Sequence, residues 1–251
     1  MTVPRRETLA SILLMNKNLV FFGRQELIEN FHVLYTQRKH VLIVGAEGIG
    51  KTALLRQVSQ RCPMLVCEES SSLRRICDSL EGRLELTQDK VNVIDRKNQL
   101  LGFLGRRGEP VAFDQVALTT PRVARFFGRL GDQIPVWIAC RSDHRKQIGR
   151  VWEQLYRFKR IEIPPLTRVE TSALIENAVA QGYIQGDAQE HIADLHRLSR
   201  GEPRRLEELL IELAARRYEI NSSSGWRLLE IDRRIQEIAL MNPSKPKTFA
   251  R

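Results

Sequence analysis

Several things are scarce in this 251-residue sequence, and each scarcity excludes something. No stretch approaches the roughly 20 uninterrupted apolar residues that a membrane span needs, so no membrane association is expected. Met1 to Arg6 opens no secretory pattern, since only Ile12 to Met15 is continuously apolar there, and the expected location is the cytoplasm. The four cysteines, Cys62, Cys67, Cys77 and Cys140, contain no CxxC pair; in that compartment they are expected to be reduced and buried as small hydrophobes. There is no internal repeat, no low-complexity segment and no run of five like charges. Positive residues come instead as doublets such as Arg5-Arg6, Arg74-Arg75, Arg106-Arg107, Arg204-Arg205, Arg216-Arg217 and Arg233-Arg234.

What is present is enough apolar content, 42%, to fill one medium core and a smaller second one. The formal net charge of +10 favours a polyanionic partner, because clustered cations gain affinity by displacing counterions from phosphates. The alternative is an ordinary solvated basic surface.

Apolar runs alternate with amphipathic stretches, which predicts an α/β core followed by helices. Strands read as His40 to Gly45, Pro63 to Glu68, Pro110 to Asp114, Pro135 to Ser142 and Arg160 to Pro164. Helical patterns start at Lys51 and span Ser72 to Leu86, Val93 to Leu104, Pro121 to Leu130 and Asp143 to Phe158. Short apolar strands separated by helices imply parallel pairing, with ligand chemistry at the strands' carboxyl ends. After Pro164-Pro165 the pattern is wholly helical: Arg168 to Gly182, Asp187 to Ser199, Arg204 to Tyr218 and Trp226 to Met241. The expected organisation is an N-terminal segment 1–20 with a partner-docking pattern in Leu9, Ile12, Leu13 and Leu14, an α/β domain 21–166, a helical domain 167–241 and a mobile tail 242–251.

The most specific motif is Gly45-Ala46-Glu47-Gly48-Ile49-Gly50-Lys51-Thr52, a GxxxxGKT phosphate loop between a strand and a helix that begins Lys51-Thr52-Ala53. Glycines let the backbone curl so that its N–H groups converge on phosphate, and the helix contributes its positive end. Lys51 then neutralises phosphate charge, and the Thr52 hydroxyl ligates Mg²⁺. A second metal ligand is expected from a neighbouring strand, and Asp114 ends the apolar run Pro110 to Phe113.

The next residue is Gln115, where a Glu would polarise the attacking water; an amide orients water but cannot take its proton. Either Gln115 is native and hydrolysis is slow, or it is a Glu→Gln replacement that traps ATP. Glu47, Glu68 and Glu69 are alternative bases. Ser142, at the end of the fourth strand, is a candidate for contact with the γ-phosphate or the water. Arg157 is a candidate finger into a neighbouring subunit, and Arg204, fixed by Pro203 in a helix's first turn, is a candidate γ-phosphate sensor.

Phe22-Gly23-Arg24-Gln25-Glu26-Leu27, ahead of the loop, resembles the FxGRxxEL signature of AAA+ and STAND ATPases, where it packs near adenine. With the phosphate loop, Asp114, Arg157-Phe158, Pro164-Pro165-Leu166 and Gly201-Glu202-Pro203-Arg204, the resemblance covers about residues 20 to 240. It is similar to the initiator and origin-recognition group and to the short transposition ATPases. The resemblance implies a P-loop NTPase three-layer parallel sheet of AAA+ type with a small all-helical lid, ATP and Mg²⁺ as ligands, and assembly into rings or filaments. It further implies an ATPase switch acting on non-specific duplex DNA together with a protein partner such as a transposase. The competing reading is a STAND-type regulatory subunit that binds a protein without DNA. With no separate DNA-reading domain after the lid, any DNA contact is expected to be phosphate-directed and weakened by salt.

Overall fold

The computed structural model describes residues 24–86, 92–181, 184, 186–214 and 223–241. The expectations for 1–20, Phe22, Gly23 and 242–251 lie outside the described residues. The chain divides between Pro165 and Leu166 into two compact units.

The first unit is built on five parallel strands: β1 (Val41–Val44), β2 (Leu65–Cys67), β3 (Val111–Val116), β4 (Val136–Cys140) and β5 (Lys159–Glu162). Their order is β2-β3-β4-β1-β5, so the phosphate-loop strand β1 lies between β4 and β5. Strand side chains alternate between faces, and here both faces are apolar. Leu42, Val44, Phe113 and Ile138 enter one buried cluster; Val41, Ile43, Ala112, Trp137 and Ala139 enter the other. Helices α1 (Gln25–Thr36) and α2 (Lys51–Arg61) cover the second face through residues such as Phe31 and Leu55. Helices α3 (Leu73–Arg83), α4 (Val93–Arg107) and α5 (Pro121–Gly131) cover the first through Leu80, Leu104 and Phe127. The result is a three-layer α/β fold.

Local chemistry sets the helix ends. The side chains of Ser72, Asn92 and Thr120 accept backbone N–H groups at the starts of α3, α4 and α5, satisfying donors that have no partner within the helix. Between α3 and α4 the Arg96 guanidinium, 12% exposed, donates to Glu81 through Nε at 3.0 Å and to Asp78 at 2.6 Å. Removing Glu81, the buried partner, costs on the order of 3–5 kcal/mol.

In this unit two elements differ from the sequence pattern. Helix α1 is not among the expected elements. The expected helix Asp143 to Phe158 is two pieces, a four-residue α6 (Arg145–Ile148) and a 3₁₀ helix (Arg150–Arg157). Gly149 separates them at φ 73°, ψ −142°, a backbone conformation that strains any residue bearing a side chain. A Cβ there would also lie 2.5 Å from the Thr119 backbone nitrogen, so the glycine is what lets residues 148–150 run against 118–120.

Strand β3 carries one extra residue. Phe113 pairs with Ile138 and Val116 with Cys140, so three steps along β3 match two along β4, and Gln115 sits in the bulge with φ 53°. Val111, Phe113 and Val116 therefore all reach the same buried cluster.

The second unit is helical: α7 (Arg168–Ala180), a 3₁₀ turn (Gly186–His191), α8 (Ile192–Ser199), α9 (Pro203–Ala214) and α10 (Ser223–Met241). The pattern expected as one helix over Asp187 to Ser199 is thus a 3₁₀ turn running into a short α-helix. Thr167 and Glu170 form a reciprocal capping box at the start of α7. Leu174, Ile175, Leu195, Leu206, Leu210 and Leu229 form the core of this unit. Among the described residues no helix is long and apolar enough to cross a membrane.

Candidate nucleotide-binding site

Beyond Val44 the chain curls through Gly45 to Gly50 and enters α2. Gly50 caps that helix at φ 99°, ψ 20°, a region open to glycine at little cost, and this fixes the direction in which the first turn leaves the loop. The Lys51 ammonium folds back over the loop and donates to the carbonyls of Gly45 and Ala46, each at 2.7 Å. Burial pushes it below the usual lysine range, opposed chiefly by the Asp114 carboxylate.

One residue on, the Thr52 hydroxyl donates to Asp114 Oδ2 at 2.5 Å. Asp114 is 1% exposed, and its Oδ1 accepts the Gln115 backbone N–H at 2.8 Å, so the carboxylate is held at both oxygens. Loop, lysine, hydroxyl and carboxylate meet at the carboxyl ends of β1 and β3. Two hard oxygens at one point, beside a curled loop, fit a Mg²⁺ ion that takes its remaining ligands from phosphate and water. They do not form a cage for a metal on its own, and among the described residues there is no cluster of three or more His, Cys, Asp or Glu.

No family model and no curated protein matches the sequence. Solved structures do match the fold. Cdc6p from Pyrobaculum aerophilum superposes at TM-score 0.60 with 15% identity over 77% of this chain. The ORC1 protein from Aeropyrum pernix, solved in complex with DNA, gives 0.66 with 15% identity over 94%, and a Walker-type ATPase from Pyrococcus abyssi gives 0.58 with 13% over 89%. The chain spans 62%, 72% and 77% of those three structures, respectively. The chain shares its fold with these structures, to which it is 13–15% identical.

Within this fold two further groups reach the loop. Arg24, 4% exposed, donates to the Ile49 carbonyl at 3.1 Å and the Pro164 carbonyl at 3.0 Å, tying the loop backbone to the chain beyond β5. Phe22 and Gly23, expected beside it, lie outside the described residues. At the end of β4 the Arg141 guanidinium pairs with Glu47 of the loop at 2.5 Å. Sequence reasoning missed that pair, because the residues lie 94 positions apart and nothing local marks them as partners; the only signal was an acid inside a loop built for anions.

The Ser142 Oγ accepts the His144 N–H at 3.1 Å and so shapes the turn into α6. Arg157 donates to Asp132 at 2.8 Å and to the Gly131 carbonyl at 3.3 Å. It immediately precedes β5, whose Lys159 is in register with Val41, so it stands at the amino edge of the sheet, opposite Lys51. Glu68 is held by Arg56 and Arg83, and Glu69 by Arg75. In the helical unit Pro203 is buried in the first turn of α9, and the exposed Arg204 pairs with Glu208 at 3.4 Å. Ala53 is half-buried behind Thr52.

Proposed function

We propose that the chain binds ATP with Mg²⁺ and hydrolyses it slowly, working as a nucleotide-dependent oligomeric switch on duplex DNA that recruits or activates a partner such as a transposase. The observation that carries the reading is the convergence of Lys51, Thr52 and Asp114, with the Thr52 hydroxyl 2.5 Å from the carboxylate at the mouth of a curled loop. Lys51 and the loop N–H groups hold the β- and γ-phosphates. Thr52 and Asp114 would hold Mg²⁺, which supplies charge neutralisation on the phosphates when bound. Gln115 lies exposed beside them and orients the attacking water through its amide, without the basicity to take the proton, which supports slow turnover. Arg157 and Arg204 are proposed as a finger and a γ-phosphate sensor on the sequence pattern alone. Support for DNA as the site of action comes from the net charge of +10 and from the likeness to an ORC1 protein solved with DNA.

Calorimetry tests the reading. Wild-type protein titrated with ATP and Mg²⁺ should give saturable heat, and Lys51→Ala should abolish it while keeping the same helical circular-dichroism spectrum. Equal heats from a folded Lys51→Ala protein would sink the assignment.

A further inference from the structure

We propose that the face formed by α5, α6 and the 3₁₀ helix Arg150–Arg157 is a docking surface for the phosphate backbone of duplex DNA. The inference rests on the reading above that the protein acts on DNA, and it adds where the duplex lies. Helix α5 turns Arg122, Arg125 and Arg129 to solvent while Val123, Phe126, Phe127 and Leu130 face the core. Gln154 of the 3₁₀ helix donates to the Ala124 carbonyl at 2.9 Å, and the Arg150 N–H donates to the Thr119 carbonyl at 3.1 Å, so the two elements lie side by side from the first turn of α5. Their shared surface continues through the exposed Arg145 and Lys146 of α6, and the Arg145 guanidinium lies 5.8 Å from the ring centroid of Trp152, which is 47% exposed.

On this face a group of cations stands together without counter-charge. Nearby Arg150 pairs with Glu153, Arg157 with Asp132, and Arg160 with Asp143 and Glu162. Among the described residues, none of Arg122, Arg125, Arg129, Arg145 and Lys146 has a carboxylate within ion-pair distance. Like charges three and four residues apart on one helix repel by a few tenths of a kcal/mol each, a cost that a polyanion removes. From Arg122 to Arg129 the helix rises about 10 Å, and one strand of a duplex presents a phosphate roughly every 3.4 Å along its axis, so three arginines face about three phosphates. Five cations against one stacked tryptophan make this a backbone-reading surface rather than a platform for unstacked bases.

The test is fluorescence anisotropy of a labelled duplex over a range of salt, using wild type, the triple variant R122E/R125E/R129E, and a charge-matched control, R61E/R74E/R106E, on other exposed positions. The face variant should bind at least tenfold more weakly, with its plot of log affinity against log salt shallower by about 2.7. The control should stay within threefold of wild type. Both variants should keep the ATP heat of the wild type, which shows that they fold. Fluorescence from Trp152 should be quenched by the duplex, and Trp152→Phe should remove that part of the signal. If wild type binds no duplex at low salt, with or without ATP, the DNA reading itself fails. If wild type binds but the face variant is unaffected, or the control loses as much, the surface is wrong and the DNA reading stands. A face variant that loses self-association in sedimentation while keeping its DNA affinity makes this an interface between copies. Tighter binding of a single strand of the same length than of the duplex also overturns the proposal.

Discussion

Replacing Arg24 by methionine keeps most of the stem and deletes the guanidinium. The structure makes this a test of whether the residue serves the loop or the ligand. In the wild type the guanidinium satisfies the Ile49 carbonyl at 3.1 Å and the Pro164 carbonyl at 3.0 Å. An acceptor left without its donor in a buried place costs about 1–3 kcal/mol, and the Pro164 contact is only partly shielded from water, so the sum comes to roughly 2–4 kcal/mol. For a protein of this size that corresponds to a fall in Tm of about 5–15 °C. Urea denaturation should show the midpoint move with the slope unchanged, and ATP affinity, measured where the variant is still folded, should fall because the loop has lost its anchor. An unchanged denaturation midpoint with strongly weakened ATP binding would refute the reasoning; Arg24 would then act on the nucleotide directly.

Arg141 offsets an acid inside an anion-binding loop, so Arg141→Ala should weaken ATP binding about tenfold and Glu47→Gln in the same chain should restore most of it; additive losses in calorimetry would mean that Arg141 touches phosphate itself. Gln115→Glu should raise steady-state phosphate release at least tenfold, and a flat result would mean that another residue positions the water. His40 accepts the Val136 N–H at 3.0 Å through Nδ1, and burial, with Arg157 adding to it, holds its pKa below the ordinary 6.5. The unfolded chain therefore takes up the proton first, so stability is complete above about pH 6.5 and declines as the pH falls below it. A urea midpoint that drops no more in wild type than in His40→Asn between about pH 7 and pH 5 would contradict this. Burial raises all four thiols, Cys77 and Cys140 to about 11, so none should react with a thiol reagent in the folded protein at neutral pH while all four react in denaturant.

Four of the five strands were legible because each is a short apolar run in a parallel sheet buried on both faces, so no alternation had to be decoded; β5, Lys159–Glu162, buries only Ile161. The phosphate loop was legible because its glycines and Lys51-Thr52 are consecutive. Contacts between distant positions were not. Arg24 reads as one member of a signature, yet its hydrogen bonds run to residues 25 and 140 positions away. Arg141 reads as a strand-end cation until Glu47 is seen beside it. The helical pattern over Asp143 to Phe158 is real in its apolar spacing, but it gives no weight to Gly149, where backbone conformation interrupts the helix. Helix α1 is marked by only three inward positions, Ile28, Phe31 and Leu34, too short a period to stand out beside the motif that opens it.

The bulge in β3 works as a phase shift. Along a regular strand every residue is committed to one side or the other by its parity, so a change of chemistry at one position stays on that side of the sheet. One supernumerary residue breaks the rule locally: Phe113 before it and Val116 after it keep the same side, and Gln115 is relieved of any duty to the interior. Position 115 can then exchange an amide for an acid without disturbing Asp114 upstream or the packed valine downstream. Whatever chemistry position 115 serves can then be adjusted by one side chain, independently of the scaffold that carries it.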